Sequence, residues 1–105
     1  MKPETVFRKR VTTFLKTLKH TVSFPIQQMG IRGTADFHLC SNGLFVSLEL
    51  KESIYAQESS SRALQEYSES EVKRCGGIAI VAAPENWKSV KAQLRKLDEG
   101  ELDVH

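Results

Sequence analysis

At 105 residues, 40% of them hydrophobic and 27% charged, the chain is sized and composed for one globular domain spanning 1–105, with a single core. It opens without an apolar h-region, and its longest apolar stretch, Gly76 to Ala83, is too short to cross a bilayer as a helix; neither secretion nor a membrane partner is expected. The net charge of +2 hides an uneven spread: Lys2, Arg8, Lys9, Arg10, Lys16 and Lys19 face only Glu4 in the first twenty residues, while Asp98, Glu99, Glu101 and Asp103 make the other end acidic.

A basic face of this kind is compatible with a phosphate backbone, and equally with an ordinary solvated helix. The acidic tail, about 98–105, is expected to be disordered. Cys40 and Cys75 form no C-x-x-C pair and have no His at ligand spacing, which argues against zinc and for reduced thiols in a cytoplasmic protein.

In chain order, Pro3 suits the first turn of a helix, and Phe7, Val11, Phe14, Leu15 and Leu18 recur at helical spacing to about Lys19. Val22 to Gln28 reads as a strand that Pro25 assigns to a sheet edge or a bulge. A loop, Met29 to Thr34, leads into DFHLCSNGLFVSLELK, residues 36 to 51, two alternating runs around Asn42-Gly43. Glu52 to Ser61 is polar, Ser-rich and expected to be a mobile loop. Arg62 to Cys75 reads as a helix with Leu64, Tyr67, Val72 and Cys75 inward, ended by Gly76-Gly77. Ile78 to Ala82 is a continuous apolar run, expected to be a strand covered on both faces. Trp87, Val90, Leu94 and Leu97 mark a last helix that stops before Gly100. The order α-β-β-β-α-β-α makes this an α/β protein with helices packed on a mixed sheet.

An Asn-Gly turn between alternating runs is a strong hairpin signal, and a two-residue turn lets the register be counted outward. Ser41 then faces Leu44, Cys40 faces Phe45, Leu39 faces Val46, His38 faces Ser47, Phe37 faces Leu48 and Asp36 faces Glu49. Two carboxylates directly opposite each other repel. Alternation sends Ala35, Phe37, Leu39, Val46, Leu48 and Leu50 to the core and Asp36, His38, Ser47, Glu49 and Lys51 to the other side. A divalent cation would turn the repulsion into joint coordination, because Mg²⁺ is held by one or two carboxylates plus substrate phosphates. On spacing alone, an exposed face with a Glu–Lys pair and a mildly repelled Asp is the better-supported arrangement. Glu4 lies on the inward stripe of the first helix; it either favours the helix N-terminus or supplies a third carboxylate to the same ion.

Gly33-Thr34-Ala35-Asp36, then Glu49-Leu50-Lys51, then Gln65 and Gly76-Gly77 before an apolar strand resemble the PD-(D/E)XK nuclease superfamily. Within it the chain is most similar to the stand-alone VRR-NUC domains of phages and bacteria, over about residues 4 to 97. The resemblance implies a restriction-endonuclease-like fold and a Mg²⁺- or Mn²⁺-dependent endonuclease acting on DNA in a bacterial or phage-infected cell. It makes Asp36, Glu49 and the Leu50 backbone carbonyl metal ligands, with Glu4 as a further candidate. Lys51 orients the attacking water or stabilises phosphate charge, and Gln65 belongs to the catalytic set. Two departures stand out: Ala35 replaces a frequent Pro, and Ser61 sits one residue early for an S-x-x-Q.

Arg8, Lys9, Arg10 and Arg32 are candidate phosphate contacts, and a solvated loop role serves Arg32 nearly as well. His38 is expected to partner Ser47 across the hairpin rather than to act on substrate. Stand-alone members of the family are associated with homodimers that cut four-way (Holliday) junctions, the substrate expected here. A less selective endonuclease on duplex or branched DNA, or a non-catalytic nucleic-acid-binding module with the same fold, remains open.

Overall fold

A computed structural model describes residues 3–26, 35–55 and 62–101, with only the backbone for 3–4 and 62–65. The elements are α1 (Pro3–Leu15), β1 (Thr21–Pro25), β2 (Phe37–Ser41), β3 (Leu44–Leu50), α2 (Arg62–Arg74), β4 (Ile78–Ala82) and α3 (Trp87–Asp98). Their order is the expected α-β-β-β-α-β-α. The four strands form one mixed sheet, β1-β2-β3-β4, antiparallel up to β3 and parallel between β3 and β4. A parallel pair needs a crossover, and α2 supplies it. None of the described helices is long and apolar enough to cross a membrane.

The hairpin follows from its turn. Asn42 and Gly43 both take positive φ, 50° and 81°, as a two-residue primed turn requires. The β2–β3 register is the one counted from the sequence, from Ser41 opposite Leu44 to Phe37 opposite Leu48. The Asn42 side chain also donates to the Leu97 carbonyl at 2.8 Å and to the Asp98 carbonyl, so the turn is fastened to the end of α3.

One face of the sheet holds the core. Phe7, Val11, Phe14 and Leu15 of α1 and Trp87, Val90, Leu94 and Leu97 of α3 pack on Phe37, Leu39, Val46, Leu48, Ile80 and Ala82. Trp87 joins the two helices, edge-on to Phe7 at 5.6 Å and to Phe14 at 5.4 Å. α1 ends at Leu15 rather than Lys19; Thr17 and Leu18 bond back to Phe14 and Leu15 in tighter turns, with Leu18 partly buried against the core. β1 is an edge strand with Pro25 at its end, as proline's missing donor dictates. Residues 27–28, the end of the expected first strand, and the expected loop 29–34 lie outside the described residues.

β4 is the opposite sheet edge, and α2 and α3 both pack on it, in line with the expected covered strand. Two expectations are corrected. In α2, Tyr67 is 63% exposed and Cys75 is exposed, so neither faces inward. Val72 does pack: a Cβ on Gly77 would meet its Cγ1 at 2.8 Å and the Phe45 carbonyl at 3.2 Å. Glycine is therefore required where α2 turns into β4. Finally, Asp98 is no part of a disordered tail; it is the buried last residue of α3, and only 102–105 fall outside the described residues.

The Asp98 carboxylate accepts from the Lys19 and His20 N–H groups at 3.2 and 2.7 Å and from the Thr21 hydroxyl at 2.8 Å. Burial pushes its pKa up, but the Thr21 hydroxyl and the two N–H groups outweigh burial and hold it below the ordinary range. At the other end of the sheet, Asn86 fastens β4. Its amide nitrogen donates to Val81 O at 2.9 Å and its oxygen accepts from Ala83 N at 2.8 Å. Lys51 N–H takes the Ala82 carbonyl on the β3 side, so Val81 faces the open edge and Asn86 plugs part of it.

Candidate functional site

Asp36 stands one residue before β2, in line with Glu49 of β3, as the register requires. Its backbone carbonyl accepts from Ile26 N at 2.9 Å, which fixes the start of β2 against the end of β1. The carboxylate does not merely share an outer face with Glu49. Oδ2 accepts the Leu50 N–H at 2.8 Å, and Oδ1 meets Arg8 Nη1 of α1 at 2.8 Å. The Arg8 guanidinium also lies over the Phe37 ring, 4.9 Å from its centroid. The expected repulsion between Asp36 and Glu49 is therefore offset, in part, by an arginine from the core-side helix. Arg8 thus meets Asp36 directly, and its side chain stays 37% exposed.

Glu49 is 8% exposed, which for a carboxylate demands hydrogen-bond partners. No buried side-chain polar atom among the described residues lacks one. Its strand partner on the far side is Val81 of β4. Lys51, half-buried, follows β3 directly, and its N–H donates to Ala82 O at 2.8 Å, prolonging the β3–β4 pairing by one residue. Beyond it, Glu85 accepts from Ser53 Oγ at 2.8 Å and Ile54 N at 3.1 Å, which fastens the segment that carries Lys51 to the turn before α3. These two donors, the Ser53 hydroxyl foremost, hold the Glu85 carboxyl below its ordinary pKa.

The Leu50 carbonyl can be placed from these contacts. In a trans peptide the N–H and C=O point opposite ways. Lys51 N–H points to β4, so the Leu50 carbonyl points away from β4, to the side where Asp36 takes the Leu50 N–H. The Asp36 carboxylate and the Leu50 carbonyl thus lie on the same side of the β3 end, with buried Glu49 and half-buried Lys51 flanking Leu50 in the chain.

These donors fit a hard cation. All are oxygens, which suits Mg²⁺ or Mn²⁺ better than zinc, whose sites are built chiefly on Cys and His. A carboxylate has about four lone-pair sites, so Asp36 keeps acceptor capacity beyond its two contacts. Among the described residues no group of three or more His, Cys, Asp or Glu forms a metal cluster. Two carboxylates and a carbonyl still suffice for Mg²⁺, which retains several waters.

The remaining candidates separate. Glu4 and Gln65 lie in the first turns of α1 and α2, but their side chains lie outside the described residues, as does Arg32 altogether. Lys9 and Arg10 are exposed on α1 and, with Lys91, rim a groove of about 480 Å³ over Phe14 and Trp87 that the carboxylates do not line. His38 pairs with Ser47 as expected, with its ring tilted against Phe45 at 5.1 Å. Arg8 has a partner, Asp36, that the sequence reading did not assign to it. The signal was present, because Arg8 is four residues from Glu4 and so on the same side of α1.

Neither a protein-family model, nor a curated protein, nor a solved structure matches the chain.

Proposed function

We propose that the protein is a Mg²⁺- or Mn²⁺-dependent DNA endonuclease of the PD-(D/E)XK type, with a restriction-endonuclease-like fold. The observation that carries this reading is the placement of Asp36 in register with Glu49 at the hairpin end, with the Leu50 carbonyl on the side of Asp36 and Lys51 next in the chain. Asp36, Glu49 and the Leu50 carbonyl hold the cation, and the Leu50 N–H fixes the Asp36 carboxylate. The ion, when bound, supplies an activated water and charge for the scissile phosphate. Lys51 orients that water or takes up phosphate charge as it develops. Gln65 completes the catalytic set, Glu4 is a further carboxylate for the ion, and Arg8, Lys9, Arg10 and Arg32 contact the backbone of the DNA.

The preferred substrate in this reading is a four-way junction, cut by a cytoplasmic homodimer. A small domain carries one site, whereas a two-fold junction needs two cuts. Support for self-association comes from the second sheet face. Val22, Phe24 and Phe45 are 51%, 54% and 44% exposed, and the register places all three on the side of Cys40 and His38.

One observation favours a second reading. Asp36 is already ion-paired with Arg8, as it would be in a non-catalytic nucleic-acid-binding module. Incubating the protein with labelled duplex, flap and four-way DNA, with Mg²⁺, Mn²⁺ or chelator, separates the readings. Metal-dependent scission lost in Asp36→Asn supports the nuclease; binding with no scission under any condition supports the module.

A further inference from the structure

Arg8 and Asp36 combine three observations that the proposed chemistry does not use. The guanidinium contacts Oδ1 at 2.8 Å, it rests on the Phe37 ring, and the pair is open to water, with side chains 37% and 31% exposed. A cation that approaches Asp36 meets the positive charge of Arg8 first. Partly exposed ion pairs are weak and easily exchanged, so a divalent ion held by a second carboxylate outcompetes this one. Stacking on Phe37 would then keep the released guanidinium beside the site rather than letting it leave.

We infer that Arg8 is a built-in counter-ion that occupies Asp36 before metal arrives, gives it up on metal loading, and is thereby released toward the substrate phosphate. This rests on the metal-dependent reading above. Arg8 is in that case a positioning residue: it acts through Asp36, and it couples metal loading to phosphate binding. The geometry explains how the Asp36 carboxylate is accommodated without an ion, and why the arginine comes from α1, whose buried Phe7 and Val11 anchor the helix on the sheet.

Calorimetric titration of Mg²⁺ and Mn²⁺ into the wild type, Arg8→Gln, Arg8→Lys and Asp36→Asn tests the inference. Arg8→Gln should bind metal roughly fivefold tighter than the wild type, the scale of removing one partly exposed charge pair. Arg8→Lys should stay close to the wild type. Equal or weaker binding by Arg8→Gln, with the wild type binding normally, overturns the inference and leaves the metal site standing. No binding by the folded wild type overturns the metal reading itself. A second measurement needs no variant. The Arg8 side-chain N–H resonance of the wild type should shift as Mg²⁺ saturates the site, and a resonance unmoved at saturation overturns the exchange.

Discussion

Arg8 and Asp36 meet at 2.8 Å between a helix and a strand end 28 residues apart, while the other oxygen of Asp36 takes the N–H of Leu50. The arrangement changes what removal of the carboxylate charge should do. Relief of repulsion from Glu49 is offset by loss of the Arg8 pair, and the amide oxygen of asparagine can still accept from Leu50. Asp36→Asn should therefore keep the metal-free stability within about 1 kcal/mol of the wild type while scission disappears. Asp36→Ala strands the Leu50 N–H and should cost about 1–3 kcal/mol. Thermal unfolding without metal checks both; an Asn variant as unstable as the Ala variant would make the ion pair structural.

Lys51 should act on the reaction and not on the ion, because one cation does not coordinate another. Its backbone is held by Ala82 and its following segment by Glu85, so truncating the side chain leaves the β3 end in place. Lys51→Ala should retain metal affinity, or improve it, and reduce the cleavage rate by about two orders of magnitude or more. Single-turnover rates beside metal titrations give the answer, and unchanged turnover would leave Lys51 a surface residue.

The hairpin was legible because Asn42-Gly43 permits one register, and that register, continued one residue past Phe37 and Leu48, sets Asp36 opposite Glu49. The α3 stripe was legible too, since Trp87, Val90, Leu94 and Leu97 fall on one helical face. Asp98 was not. Its burial depends on N–H groups 78 and 79 residues earlier in the chain, and nothing local distinguishes it from the acids that follow. Tyr67 and Cys75 fail for another reason. Helical spacing shows which residues share a face, but not how much of that face a neighbouring strand covers. Arg8 fell between the two cases: its side of the helix could be read, and its partner could not.

If the protein self-associates through its second sheet face, the contact should break when charge enters the apolar patch. Phe24 and Phe45 are the largest exposed side chains there, and β1 is the edge strand beside them. Phe24→Lys with Phe45→Lys should leave the core untouched and convert a dimer to a monomer at tens of micromolar. Preference for four-way over duplex DNA should fall in the same variant. Affinity should also drop steeply with salt in both proteins, because phosphate contacts release counterions. Light scattering that finds the wild type monomeric removes the junction-resolving homodimer and leaves a simpler endonuclease.

Asp98 should be the protein's main acid-sensitive fastening. It ties Lys19, His20 and Thr21, the entry to β1, to the end of α3, and Asn42 binds the adjoining carbonyls. Its pKa in the folded protein lies below the ordinary carboxylate value. Its contribution is therefore fully present above the unfolded value, about pH 4, and drains away as the pH falls through the lower folded value. Asp98→Ala leaves two N–H groups and a hydroxyl without their acceptor and should cost about 1–3 kcal/mol at neutral pH. Asp98→Asn retains one acceptor oxygen and should cost less. Denaturant unfolding of both variants and the wild type at pH 7 and near pH 3 measures this, and the gap between wild type and Asp98→Asn should narrow at the lower pH. A gap that stays constant across that range would mean that Asp98 contributes through packing and not through its charge.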